Sequence, residues 1–135
     1  MNVLFLCTSN SARSILGEVI FNALFSAHGR AYSAGSKPMG KVNPFALAVL
    51  EKHGHSVEGL RSKNIDEFMQ DGAPTIDMVI SVCDSAANDC PVWLGKSKGG
   101  GNPKRLHWPL PDPKTEEDFE RTYQALRRQL EGFLI

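Results

Sequence analysis

The chain lacks a long apolar run, an excess of charge of either sign, and enough cysteines for a disulfide framework. Its longest apolar stretches, at 3–7 and 78–82, fall far short of the roughly 20 residues of a membrane helix, and no basic then apolar leader opens the chain. Fifteen Lys plus Arg balance fifteen Asp plus Glu, so no long-range field gathers nucleic acid or an anionic membrane surface. These absences give the expectation of a soluble, cytoplasmic protein that binds neither nucleic acid nor membrane, in which any anion site is local. With no sustained heptads and no net charge, a monomer is expected. At 135 residues the chain fits one domain with one core, residues 1–135. Three cysteines, Cys7, Cys83 and Cys90, cannot all pair, and in a reducing compartment they serve chemistry or packing.

What is present alternates between strand and helix patterns. Asn2 to Leu6 is a continuous apolar β-type run ending at Cys7, and Thr8 to Ser14 are nearly all small and polar. Ile15, Val19, Ile20, Ala23 and Leu24 then recur at helical spacing towards His28-Gly29, which reads as the helix end. Arg30 to Ser33 is a second strand, and Asn43-Pro44 offers an N-cap with proline at the first helical position for a helix to His53-Gly54. Ile65 to Gln70 suits a brief helix. Ile76 to Val82 is another apolar strand, so Cys83 ends its strand as Cys7 ends the first. Four of the twelve glycines fall within 91–103, a segment with no period that reads as a surface loop. Leu106 to Trp108 is a last strand, and Thr115 caps a helix striped by Phe119, Tyr123, Leu126, Leu130 and Phe133. His28 and His53 are expected to cap helices and His55 to lie on the loop surface. The alternation predicts an α/β fold, a three-layer sandwich around a four-stranded parallel sheet. Ligands in such sheets sit beyond the carboxyl ends of the strands, where Cys7, Cys83 and Asp112 all fall.

Cys7-Thr8-Ser9-Asn10-Ser11-Ala12-Arg13-Ser14 is a Cys-x5-Arg loop between a buried strand and a helix start. Successive N–H groups curling round one point make a nest for a tetrahedral oxyanion, and the helix N-terminus adds donors and partial positive charge. Arg13 can return a planar fork of donors to two oxygens of the same anion. That field favours a Cys7 thiolate nucleophile, with Ser14 placed to donate a hydrogen bond to it. Asn10 suits a left-handed turn within the loop. Asp112, between Pro111 and Pro113, suits a rigid general acid as well as an ordinary turn. Cys83 and Cys90 read as redox thiols, as packing cysteines, or as half of a metal site that lacks its usual partners.

With Cys-x5-Arg at the N-terminus, Ser33-Ala34-Gly35-Ser36, and Asp112-Pro113 near the C-terminal end, the chain resembles the low-molecular-weight protein tyrosine phosphatase superfamily over nearly its whole length. Cys83-Asp84-Ser85-Ala86-Ala87-Asn88-Asp89-Cys90-Pro91 resembles the redox segment of that family's thioredoxin-coupled arsenate reductase branch. The resemblance implies reduction of arsenate to arsenite, and so arsenical resistance. Cys7 would be the nucleophile, Arg13 and Asp112 its helpers, and Cys83 and Cys90 the thiols that pass a disulfide outward. Thr8 to Ser14 would bind the oxyanion. No tightly bound cofactor is implied; the partner is an external thiol reductant, thioredoxin or a glutaredoxin-type donor. The second reading is a tyrosine or small-molecule phosphatase working through a phosphocysteine. Some members hold potassium near the cradle, which would place an ion by Asn10, Glu18 and Asp66 here. The resemblance departs at Ser9, usually glycine, where a positive φ would be strained, and at Ala12, often a further cysteine. A helix between Cys83 and Cys90 would separate them by about 10 Å, beyond the roughly 7 Å Cα limit for a bridge, so that segment is expected to loop out when oxidised.

Overall fold

A computed structural model of the chain describes residues 1–83 and 101–133. Four strands, β1 (Asn2–Cys7), β2 (Arg30–Gly35), β3 (Met78–Ser81) and β4 (Lys104–His107), form one sheet in the order β2-β1-β3-β4. Every pairing is parallel, with Cys7 opposite Gly35, Leu6 opposite Ser81 and Ser81 opposite His107. The helices are α1 (Arg13–Leu24), α2 (Pro44–Lys52) and α3 (Glu116–Glu131), with a single 3-10 turn at Ile65–Phe68. The α/β class and the four-stranded parallel sheet expected from the alternation are therefore present.

Period-two alternation along β1 sorts its side chains between two cores. Val3, Phe5 and Cys7 join buried residues of α1, α2 and α3, including Ile15, Phe21, Leu50 and Tyr123, while Leu4 and Leu6 join Ala34, Phe68 and Ile76. Among the described residues the three helices thus share one core, and the 3-10 turn belongs to the other. The second helical layer of a full three-layer sandwich is not among them. Residues 91–100 of the expected glycine loop and the expected Cys83–Cys90 rearrangement also lie outside the described residues.

Most helix boundaries follow local signals. Asn43 caps α2 by accepting from the Phe45 N–H at 2.9 Å, with Pro44 at the first helical position. Thr115 caps α3 through a reciprocal box with Asp118. The end of α1 differs from expectation. It stops at Leu24, four residues before His28, and Ala23 and Leu24 are exposed while Leu16 and Phe21 are buried. Gly29 is there for another reason: a Cβ on it would stand 1.8 Å from the Met1 carbonyl oxygen, so the close pass of the N-terminus excludes a side chain. His28 therefore does not cap a helix. His53 does end α2, yet its ring also stacks on Tyr123 at 4.0 Å and bonds Glu120 at 2.9 Å. His55 is only partly exposed, 2.6 Å from the Tyr123 hydroxyl, so it belongs to the α2–α3 interface rather than to free loop surface.

Candidate active site

The topology itself selects the carboxyl end of β1. Chain neighbours leave β1 to β2 on one side and reach β3 on the other, and the crevice at such a switch point is where parallel sheets bind ligands. Cys7 sits there, buried, at the last residue of the strand.

Residues 8–12 follow that point, and the carbonyls of Thr8, Ser9 and Ser11 bond to segments outside the loop. The Thr8 carbonyl accepts from Lys37 N–H at 2.9 Å, that of Ser9 from Met39 N–H at 3.0 Å and from the Ser62 hydroxyl at 3.1 Å, and that of Ser11 from Asn43 N–H at 2.9 Å. Among the described residues no carbonyl or side chain accepts from the N–H groups of Thr8 to Arg13. Helix α1 begins at Arg13 with Ala12 at the cap position, whose side chain cannot cap it, and its first turn holds no acidic residue. The result is a ring of donors with the positive end of a helix behind it, open to an anion.

Asn10 fixes the loop's shape. It is fully buried with φ of +47°, and no other non-glycine described residue has positive φ. Ser9 is therefore not in the left-handed region, and the strain expected for a residue replacing glycine there does not arise. The Asn10 Oδ1 accepts from the Lys63 backbone N–H at 2.8 Å, which obliges its Nδ2 to be the group that donates to Ser14 Oγ at 2.7 Å. Ser14 Oγ also lies 2.8 Å from Cys7 Sγ, a contact in which either atom can donate to the other and in which the hydroxyl is the donor once the sulfur is a thiolate. A thiolate at Cys7 is thus served by a hydroxyl that two further residues hold in place. Gly35 makes this packing possible, since a Cβ there would lie 2.4 Å from the Thr8 carbonyl oxygen.

Arg13 and Asp112 come together across the loop mouth. Arg13 donates from Nη1 to the Leu110 carbonyl at 2.8 Å, and its Nη2 stands 3.9 Å from Asp112 Oδ1. The arginine side chain is 11% exposed and the aspartate 66%, so the acid faces solvent while the guanidinium is mostly enclosed. Cys83 lies one strand over. Val82 N–H donates to the Leu6 carbonyl at 2.8 Å, and Cys83 Sγ is 3.9 Å from that same oxygen. Cys83 and Cys7 are both buried, and Cys7 is a free thiol. Cys90 is outside the described residues.

The residues named for potassium do not assemble around an ion. Asp66 is exposed on the 3-10 turn, Asn10 Oδ1 accepts from the Lys63 backbone N–H, and Glu18 Oε1 stands 3.7 Å from the Lys63 ammonium. Burial pushes that ammonium down from its ordinary range, and the Glu18 carboxylate opposes the shift. Lys63, Ser62 and the Leu110 carbonyl were not marked by the sequence, and Gly35 entered only as part of the Ser33-Ala34-Gly35-Ser36 stretch.

With this geometry in hand, comparison with known proteins is specific. Residues 2–135 match the low molecular weight phosphotyrosine protein phosphatase family. The chain belongs to that family. Within it, this member is 32% identical over 127 residues to an arsenate reductase of Halalkalibacterium halodurans, covering 93% of this chain and 84% of the relative. It is 30% identical over 132 residues to an arsenate reductase of Bacillus subtilis, covering 95% and 88%. A solved structure described as an arsenate reductase in the phosphate binding state superposes with a TM-score of 0.77 at 28% identity, covering 96% of this chain and 93% of that one. No helix among the described residues of this family member is long and apolar enough to cross a membrane.

Proposed function

We propose that this protein is an arsenate reductase that transfers two electrons from its own thiols to arsenic and is then reset by a thiol reductant, with thioredoxin or a glutaredoxin-type donor in that role. The observation that carries the reading is the pair of cysteines at two neighbouring strand ends. Cys7 is buried in an anion nest at the end of β1, and Cys83 is buried just past the end of β3, the strand paired with it. A phosphatase needs no second reactive sulfur at that place. The arsenate reductase relatives and the family fold support the same reading.

The Cys7 thiolate forms an S–As bond, and a hydroxide leaves arsenic as water with a proton from Asp112, held near Arg13 for that purpose. The donor nest and Arg13 hold the remaining oxygens and the charge that develops on them. Cys83 thiolate then attacks Cys7 Sγ. An S–S bond forms, the S–As bond breaks, and its electron pair stays on arsenic as As(III), which leaves as arsenite. Cys90 thiolate attacks Cys83, freeing the Cys7 thiolate and leaving a Cys83–Cys90 disulfide for the external thiol. Phosphate fills the same nest but cannot accept the electron pair.

The test is a single turnover with pre-reduced protein. One arsenite per protein with the loss of two thiols is expected. No arsenite, intact thiols and ready hydrolysis of an aryl phosphate would instead place this protein among the phosphatases.

A further inference from the structure

One buried cation takes no part in the steps above. The Lys63 side chain is 11% exposed. Its Nζ donates to the Ser33 carbonyl at 2.9 Å and the Arg61 carbonyl at 3.1 Å, with Ser33 Oγ at 3.4 Å and Glu18 Oε1 at 3.7 Å. The Ser33 hydroxyl in turn donates to Glu18 Oε1 at 2.7 Å. Two carbonyls, a hydroxyl and a carboxylate around one positive centre are the hard oxygen ligands that a small cation takes, but here the positive centre is covalently part of the chain.

The same residue is wired to the nucleophile. Its backbone N–H holds Asn10, Asn10 holds Ser14, and Ser14 meets Cys7. Its carbonyl accepts from the Gly35 N–H at 2.9 Å, which ties residue 63 to the strand end against which the loop packs. An ammonium anchored to β2 and α1 therefore fixes where the backbone of residue 63 sits. Without it, the Glu18 carboxylate, 17% exposed, would be left largely enclosed with no opposite charge, which is costly.

We propose that Lys63 is a positioning residue that serves as a tethered cation, setting the Cys7–Ser14 loop in a binding-ready shape without a bound monovalent ion. This rests on reading that loop as the oxyanion site. A free ion would have to be recruited and its concentration would control the loop, whereas a tethered ammonium is always present.

The experiment compares wild type with Lys63→Ala at fixed ionic strength, in potassium chloride and in tetramethylammonium chloride, whose cation is too large for the cage. Calorimetric affinity for inorganic phosphate and the thermal midpoint are read for each. Wild type is expected to be indifferent to the exchange in both readouts. Lys63→Ala is expected to bind phosphate about tenfold more weakly in tetramethylammonium and to recover most of that in potassium or ammonium. Its midpoint should rise by about 4 °C with potassium. The proposal is overturned if wild type itself needs potassium, if Lys63→Ala binds phosphate as well as wild type without it, or if no small cation rescues the variant. Should Lys63→Ala not fold, Glu18→Gln with Lys63→Met removes both charges, and a potassium response in that pair would contradict the proposal. The thermal readout is independent of catalysis, so a wild type that makes no arsenite yet shows this cation pattern would sink the reductase reading and leave the cage standing.

Discussion

The starts of α1 and α3 meet one physical problem in opposite ways. Each helix begins with N–H groups that have no partner inside it. At α3 the chain answers with its own atoms. The Thr115 hydroxyl accepts from Asp118 N–H at 3.1 Å, and the Asp118 carboxylate accepts from the N–H groups of Lys114 and Thr115 at 3.2 Å each. These bonds hold the Asp118 carboxyl below its usual range. At α1 the cap position is Ala12, with no side-chain bond and no acid in the first turn, while three surrounding segments bond the loop carbonyls. One helix start is closed for stability, and the other is left for a ligand to complete. An uncapped start is informative because the other two helices among the described residues, α2 and α3, are both capped by side chains.

The largest way to break the contrast is to remove the nucleophile that the open start serves. Cys7→Ser is expected to lower single-turnover arsenate reduction by at least about 10⁴-fold, while phosphate binding measured by calorimetry survives because the donor ring is intact. Next, Arg13→Lys keeps the charge but loses the planar fork and its bond to the Leu110 carbonyl. The expected loss in kcat/KM is on the order of 10²-fold, read from steady-state reduction with excess reductant. A smaller effect comes from opening the closed start. Thr115→Ala should cost about 1 kcal/mol in urea unfolding, with the rate of arsenate reduction unchanged.

The smallest effect concerns pH. Bonds from Gln124, Lys52 and His53 hold the Glu120 carboxyl down at about 2, below the value of about 4.3 for a free glutamate. A depressed folded value means that its stabilising contribution is complete above the unfolded value and is lost as pH falls through that window. Glu120→Gln should therefore flatten the dependence of unfolding midpoint on pH between about 4.3 and about 2. An unchanged slope would show that the cluster of Lys52, His53 and Glu120 contributes nothing on folding.

How much of this was legible depends on how far each determinant reaches along the chain. The apolar run into Cys7, the small polar loop and the first turns of α1 are local, as are the Asn43-Pro44 and Thr115 caps, and all could be read directly. Asn10 as the left-handed residue was equally local. The end of α1 was not, because Gly29 answers to Met1, a partner that lies 28 positions away and meets it only across the sheet. Lys63 is 45 residues from Glu18 and 53 from Asn10, and nothing in its neighbours signals that its ammonium is enclosed. The same holds for His55, which reads as loop until Tyr123 of α3 packs beneath it. The site was legible where one segment builds it and hidden where a second segment holds it in place.

The central claim is that the two strand-end sulfurs exchange a bond during turnover. Its most direct test is to react pre-reduced Cys90→Ser with arsenate, quench with acid and map disulfides by mass spectrometry. The account predicts one arsenite released and a trapped Cys7–Cys83 disulfide. Arsenite released with both of those cysteines still reduced, or no arsenite at all from a variant that still binds phosphate, would contradict it.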